Sequence, residues 1–387
     1  MKILVLAQVF PPRRGGSGQW LFELYRRLSK DVHFVAGTTN GDETFDRQAG
    51  LSIERMPLDF STWGVSSVRG AAQYARTLMR VRRVASQVGA RAIHCGKSLP
   101  EGLIGAAIGR MSSLPFLIFV HGEELTLAAA SWELRRLTGV VLRRAHTIVA
   151  NSQHTKQLLV ESWSASAEKI VVMHPGVDTT KFVPAAPSVA VRQRLGWSGR
   201  RVILTVGALQ KRKGQDMMIR ALPSIRARCP DVLYSIAGEG WERQYLEELA
   251  RSCGVVDAVQ FRGAPAETEL IESYQQCDVF ALPNRKVGWD FEGFGIVLLE
   301  AQACGRPVIA GRSGGTAETM EAGRTGEIVS CDEPEELAAV IARLLDDPNR
   351  RAAFGAAARQ WVCEHFDWDT LSRQASAIFT QRESEPA

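Results

Sequence analysis

Arg201-Val202-Ile203-Leu204-Thr205-Val206-Gly207-Ala208-Leu209-Gln210-Lys211-Arg212-Lys213-Gly214 reads as a buried strand, a loop and the entry to a helix. The first six residues are short, β-branched and apolar on both faces, the pattern of a parallel strand covered on both sides. The glycines allow sharp turns, and a helical pattern follows over 215–228. The same unit recurs along the chain. Strand-like runs at 232–237, 258–261, 279–282, 307–310 and 327–329 alternate with helical stretches at 241–253, 267–276 and 297–303. The first half repeats the scheme, with runs at 3–9, 33–36, 92–94, 116–121, 147–150 and 170–173 and helical stretches at 19–29 and 68–88.

Two such series predict an α/β protein of two Rossmann-like, doubly wound domains facing a cleft. Pro175, Gly176, Pro184 and Pro187 mark the join, and 368–381 reads as a last helix returning to the first domain. The expected division is 1–183, 184–366 and 367–387. The 387 residues are 45% hydrophobic and 23% charged, which is enough to bury two ordinary cores. The seven cysteines have no C-x-x-C spacing and an odd count, so they form neither a disulfide framework nor a zinc site. They fit a reducing, cytoplasmic setting. The first residues are too short for a signal-peptide core, and no apolar run is long enough to span a membrane.

In an open α/β sheet, ligands bind beyond the carboxyl ends of the strands. Four loops of that kind carry candidate chemistry. The first is Pro11-Pro12-Arg13-Arg14-Gly15-Gly16-Ser17-Gly18, where adjacent glycines before a helix suit an anion. A tight turn without ligand is the plain alternative, and Leu21 at the third glycine position weakens a dinucleotide fingerprint. The second is Val120-His121-Gly122-Glu123-Glu124, in which His121 either reaches a ligand or is a satisfied structural histidine. The third is Lys211-Arg212-Lys213, either a diphosphate cradle or a solvated basic loop.

The fourth is Asp290-Phe291-Glu292-Gly293-Phe294-Gly295-Ile296-Val297-Leu298-Leu299-Glu300. Two carboxylates stand eight residues apart across a glycine–aromatic–glycine turn. The amides of Gly293, Phe294, Gly295 and Ile296 would open a helix able to hold a diphosphate, with Glu300 deep enough to accept from a ribose hydroxyl pair.

At these residues the chain resembles the family-4 retaining glycosyltransferases of the GT-B architecture. Glu292 and Glu300 match the Glu-x7-Glu signature. Gly15-Gly16, His121-Gly122, Asn151-Ser152, Pro175-Gly176-Val177-Asp178 with Phe182, Lys213-Gly214, Ala237-Gly238-Glu239-Gly240 and Ser313-Gly314-Gly315 follow in the expected order. The resemblance implies that Glu300 binds the donor ribose. Glu292 and the amides of Phe294 to Ile296 hold the transferred sugar and the diphosphate. Lys213 binds diphosphate, Gly16 closes its pocket, His121 contacts the sugar or leaving group, and Arg262 and Gly263 lie near the base. Ala208 departs from the arginine that the family often carries there, so Lys211 or Arg212 is expected to take that charge.

The implied reaction moves a hexose from a UDP- or GDP-sugar, used as co-substrate, to a lipid-linked, glycan or small-molecule acceptor with retention. Glu292, Lys213 and His121 form the expected catalytic group. Neither a metal nor another cofactor is expected. The rivals are a non-transferring GT-B relative such as a nucleotide-sugar epimerase, and a polyanion-binding protein. The latter needs exposed aromatics among its cations, and 69–83 holds only Tyr74, so no nucleic-acid partner is expected.

The charge is uneven. Residues 1–185 hold 23 Lys/Arg against 14 Asp/Glu, and residues 186–387 hold 24 against 28. Arg69, Arg76, Arg80 and Arg83 share one helical face. Arg135-Arg136 and Arg143-Arg144 flank 140–142, with Trp132 at one end. A peripheral contact with anionic membrane, on the cytosolic face of the inner membrane, is expected from this pattern. Basic helices that merely cover a sheet are the alternative.

Overall fold

A computed structural model describes residues 2–13, 15–28, 31–60 and 62–384, with side chains up to Phe379. Arg14 of the first glycine turn and Ser29 at the end of the first expected helix lie outside the described residues. The chain divides between Pro175 and Gly176, and again between Asp367 and Trp368.

The first unit holds a parallel sheet of β1 (Ile3–Ala7), β2 (Val32–Gly37), β3 (Ser52–Met56), β4 (Ala92–Cys95), β5 (Phe116–Val120), β6 (Thr147–Ala150) and β7 (Ile170–Val172). Its order is β3-β2-β1-β4-β5-β6-β7, so the winding reverses between β1 and β4. Each strand feeds two cores. Ile3, Val5, Ala7, Leu117 and Phe119 point to one side, and Leu4, Leu6, Ile118 and Val120 to the other. This period of two explains why the central strands read as unbroken apolar runs. Each such Val, Leu, Ile or Phe side chain contributes about 1.5–3 kcal/mol on burial.

One strand escaped the sequence reading. Ser52-Ile53-Glu54-Arg55-Met56 pairs with β2 at the sheet edge, where one face meets solvent and polar residues alternate with apolar ones.

The helix Trp368–Ser384 also belongs to this unit. Trp368, Leu371, Ala375 and Phe379, spaced three, four and four apart, are buried in the cluster that holds Val5 and Tyr25. Phe379 stacks on Tyr25 at 6.1 Å.

The second unit holds β8 (Arg201–Val206), β9 (Val232–Ala237), β10 (Val259–Phe261), β11 (Val279–Leu282), β12 (Val308–Gly311) and β13 (Gly326–Val329). They form a parallel sheet of order β10-β9-β8-β11-β12-β13, reversing between β8 and β11. Residues 176–183, expected in the first domain, pack with this unit instead. Val177 donates to Phe366 O at 2.9 Å, the Arg359 guanidinium donates to Thr179 O and Phe182 O, and Phe182 lies against Tyr274. Local sequence does not reveal this boundary, because the partners lie about 180 residues away.

All seven cysteines are free. Among the described residues, no helix is long and apolar enough to cross a membrane. No cluster of three His, Cys, Asp or Glu side chains suited to a metal occurs among them either.

Candidate active site

The reversal between β8 and β11 places two loops side by side in the second unit. After β8 the chain turns through a single 3-10 turn at Lys211–Lys213 into the helix Gln215–Arg228. Gly214 permits the turn. Its φ is +75°, and a Cβ there would stand 1.7 Å from Pro283 O, so only glycine lets the two loops meet. The Arg285 amide donates to Arg212 O, and the Arg285 guanidinium grips Asp216 at 2.8 and 2.7 Å, which fixes the basic turn against the loop after β11.

That second loop carries Glu292. Lys213 Nζ lies 2.5 Å and Arg212 Nη1 2.7 Å from Glu292 Oε2, with Arg212 Nε 3.2 Å from Asp290. Lys213 is 9% exposed and Glu292 8%. Burial pushes the Glu292 carboxyl up, but the two cations outweigh it and hold it below its ordinary value. Both cations converge on Oε2, and no described residue donates to Oε1. Glu292 O accepts from the Gly315 amide, and a Cβ on Gly314 would stand 1.8 Å from that oxygen. Asn284 ties the neighbouring glycine loop in place, accepting from the Gly311 amide and donating to Ser313 O.

Gly295, with φ +92°, begins the helix Ile296–Ala303, whose first amides have no carbonyl within the helix to receive them. Phe294 is buried beside Leu282 and Leu298, so the turn between Gly293 and Gly295 is anchored by its aromatic. Glu300 sits on this helix. Its Oε2 accepts from Tyr274 Oη at 2.5 Å, and burial raises its carboxyl above the usual value.

The other expected donor residues are placed differently. Lys211 is exposed, so of the two candidates for the charge missing at Ala208, Arg212 is the one beside Glu292. The Arg262 guanidinium donates to Ser273 Oγ and pairs with Glu269, while Gly263 O accepts from the Gly238 amide at 2.6 Å. Arg262 therefore shapes the loop after β10 with its side chain already engaged.

In the first unit, Gly16 is exposed at the start of the helix Gly16–Leu28. Gly18 is the glycine that sterics require, because a Cβ there would stand 2.5 Å from Val9 O. His121 follows β5. Its Nε2 is 2.8 Å from Gly96 O, an acceptor only, so Nε2 carries the proton and Nδ1 presents a lone pair. Burial pushes the imidazole down, so it is neutral at neutral pH. The His121 amide donates to Glu124 Oε1, and the Asn151 side chain donates to His121 O.

Glu101, after β4, accepts from the Gln8 amide at 2.8 Å, and burial pushes its carboxyl up to about 7. Glu101 and Glu124 each keep one buried carboxylate oxygen without a partner among the described residues. Neither had been given a role from sequence. The signal was present at Glu101-Gly102, a polar residue and a glycine after a strand, the same pattern that drew attention to His121.

The chain matches two family models, Glycosyltransferase Family 4 over residues 14–181 and Glycosyl transferases group 1 over residues 190–361. It is 34% identical to the GDP-mannose-dependent alpha-(1-6)-phosphatidylinositol monomannoside mannosyltransferase of Mycolicibacterium smegmatis, covering 100% of both chains. This chain belongs to glycosyltransferase family 4. A second relative, the GDP-mannose-dependent monoacylated alpha-(1-6)-phosphatidylinositol monomannoside mannosyltransferase of Corynebacterium glutamicum, is 31% identical over 100% of this chain and 98% of its own. Among solved structures, Anabaena HepE in complex with UDP superposes with a TM-score of 0.83 at 25% identity, over 98% of this chain and 100% of that one. The family-4 chain is thus a nucleotide-sugar glycosyltransferase with the GT-B fold, as its residues had implied.

Proposed function

We propose that this family-4 enzyme transfers a mannosyl group from GDP-mannose, with retention and without a metal, to a phosphatidylinositol-type mannolipid. The observation that carries the reading is Glu292 with its Oε1 open and its Oε2 held by Lys213 and Arg212 at the mouth of a helix N-terminus. The donor's diphosphate meets the two cations and the helix amides, which neutralise the charge that grows as the sugar C1–O bond breaks. The acceptor hydroxyl attacks C1 on the face that the diphosphate leaves. Its proton passes to a departing phosphate oxygen, and the new C1–O bond keeps the anomeric configuration. Glu292 Oε1 accepts from a hydroxyl of the transferred sugar, Glu300 accepts from the ribose, and His121 Nδ1 accepts from the sugar. Arg212 and Lys213 supply the positive charge that a divalent ion provides elsewhere.

The relatives named above support the donor and the lipid acceptor. The basic first half supports work at the cytosolic face of an anionic membrane. A second reading, with UDP-glucose as donor, draws on the likeness to HepE, which has been solved with UDP-glucose. The deciding experiment is a panel of GDP- and UDP-sugars with a mannosylated phosphatidylinositol, with and without EDTA, and NMR of the product anomer. Faster turnover of GDP-mannose, undiminished by EDTA, with an α-linked product is the expected result. UDP-glucose preference, EDTA inhibition or an inverted product would overturn the corresponding part.

A further inference from the structure

In the second unit, β9 and β11 are the neighbours of β8, so the basic turn after β8 lies between the loops that follow them. Each of those loops carries an exposed tryptophan. Trp241 follows β9, in a loop whose Glu239 O accepts from the Leu209 amide, and Trp289 follows β11. They are 76% and 82% exposed. A single exposed apolar side chain is ordinary on a protein surface. Trp289 differs in how firmly its backbone is held.

Val287 N donates to Asp290 O at 2.9 Å, and Asp290 N donates to Val287 O at 3.0 Å. Gly288 and Trp289 are therefore the central residues of a closed hairpin turn. Gly288 has φ +61°, and a Cβ there would meet nothing within 4 Å, so glycine serves the turn's backbone and not a close approach. Both flanks of the turn are fastened to the basic turn after β8. On one flank the Arg285 amide donates to Arg212 O and the Arg285 guanidinium holds Asp216. On the other, the Asp290 carboxylate pairs with Arg212 Nε at 3.2 Å. Arg212 also holds Glu292. The indole is thus presented to solvent from a backbone tied to the residues that fix Glu292, so little further ordering is needed when a ligand meets it. Lys286 Nζ lies 5.7 Å from the ring centroid, an exposed cation beside an exposed ring.

We propose that Trp289 is a stacking platform for a pyranose ring of the acceptor, with Lys286 donating to hydroxyls at the edge of that sugar. The face of an aromatic ring is negative, and the C–H groups on one face of a pyranose are apolar and slightly positive, so the two faces stack. Position decides which sugar is met. The transferred sugar must reach Glu292, which is 8% exposed, whereas Trp289 stands outside that pocket three residues earlier. The ring that stays outside belongs to the acceptor. The inference rests on the acceptor carrying a pyranose, as the mannolipid proposed above does, and it makes Trp289 a specificity-determining residue.

Two measurements test it. Saturation-transfer NMR with methyl α-mannopyranoside, on the full chain loaded with GDP, reads binding without requiring transfer. The wild type should saturate the C–H protons of the pyranose, Trp289→Ala should lose the effect, and Trp241→Ala should keep it. Steady-state kinetics with mannosylated phosphatidylinositol reads selection of the acceptor, with GDP titration as the folding control. Trp289→Ala should raise the acceptor KM about tenfold, with kcat and the GDP-mannose KM within about twofold. Trp289→Tyr keeps a ring face and should stay within about threefold of the wild type, and Lys286→Ala should cost about threefold. An unchanged acceptor KM in Trp289→Ala, or no saturation of the pyranose by the wild type, would overturn the platform. So would equal losses in Trp289→Tyr and Trp289→Ala, or a rise in the GDP-mannose KM in place of the acceptor KM. Saturation that depends on Trp289, without transfer to the mannolipid by the wild type, would uphold the platform and reject that lipid as the acceptor.

Discussion

Glu292→Gln separates the two jobs of the buried carboxylate. In the wild type, Oε2 neutralises Lys213 at 2.5 Å and Arg212 at 2.7 Å in a setting less than a tenth exposed. Removing one partner of a buried ion pair costs about 3–5 kcal/mol, because the remaining charge stays in a poor solvent. Arg212 keeps Asp290 at 3.2 Å, so the cost should fall at the low end, about 3 kcal/mol. For a unit of this size that corresponds to a drop of about 6–12 °C in its melting temperature. The unpaired Lys213 then makes the site a better diphosphate receptor. GDP should bind at least as tightly as to the wild type and restore about 2.7 kcal/mol at a hundredfold excess over its Kd.

Turnover should nevertheless fall about 10²–10³-fold, because the proposed hydrogen bond that a sugar hydroxyl donates to Oε1 becomes a poorer one in the transition state. The pH dependence has a definite sign. Glu292's folded value lies below its unfolded one, so its contribution is present above the ordinary carboxylate range and is lost as the pH falls through the folded value. Variant and wild type should therefore converge in stability in acid. Scanning calorimetry with and without GDP, together with steady-state kinetics, is the assay. A variant with unchanged melting temperature, or with GDP affinity and turnover reduced in equal measure, would refute the reasoning.

Glu300→Ala should weaken GDP binding about 10–100-fold by removing charged hydrogen bonds to the ribose, whereas Tyr274→Phe should cost less; isothermal titration measures both, and undiminished binding by Glu300→Ala would sink the ribose role. Arg212→Ala should weaken GDP about tenfold more than GMP, while exposed Lys211→Ala should change neither; equal weakening of both ligands by Arg212→Ala would show that Arg212 does not read the diphosphate. Glu101, whose folded value is raised to about 7, contributes stability that is full below the ordinary carboxylate range and lost as the pH rises through about 7. Urea titrations between pH 5 and 8 should show that slope, of order 3 kcal/mol in total, and Glu101→Gln should flatten it; the same slope in the variant would assign it to another group.

The doubly wound fold was legible because central parallel strands are buried on both faces, and runs such as 201–206 and 279–282 announce this in their own composition. The carboxylate pair was legible for a similar reason, since Glu292, the glycine turn and Glu300 lie within one loop and one helix. Edge strand β3 was not, because its half-solvated alternation resembles a polar loop until β2 pairs with it. Nor could the sequence choose between Lys211 and Arg212. The two are neighbours with the same charge, and the choice depends on Glu292 and Asp290, about 80 residues further on. The buried Glu101, brought to the Gln8 amide from 93 residues away, was decided in the same way. Hydrophobic period and turn chemistry act between neighbours in sequence and fix the elements. Which charges meet, and which are left facing solvent, is set by contacts that exist only once distant elements have packed.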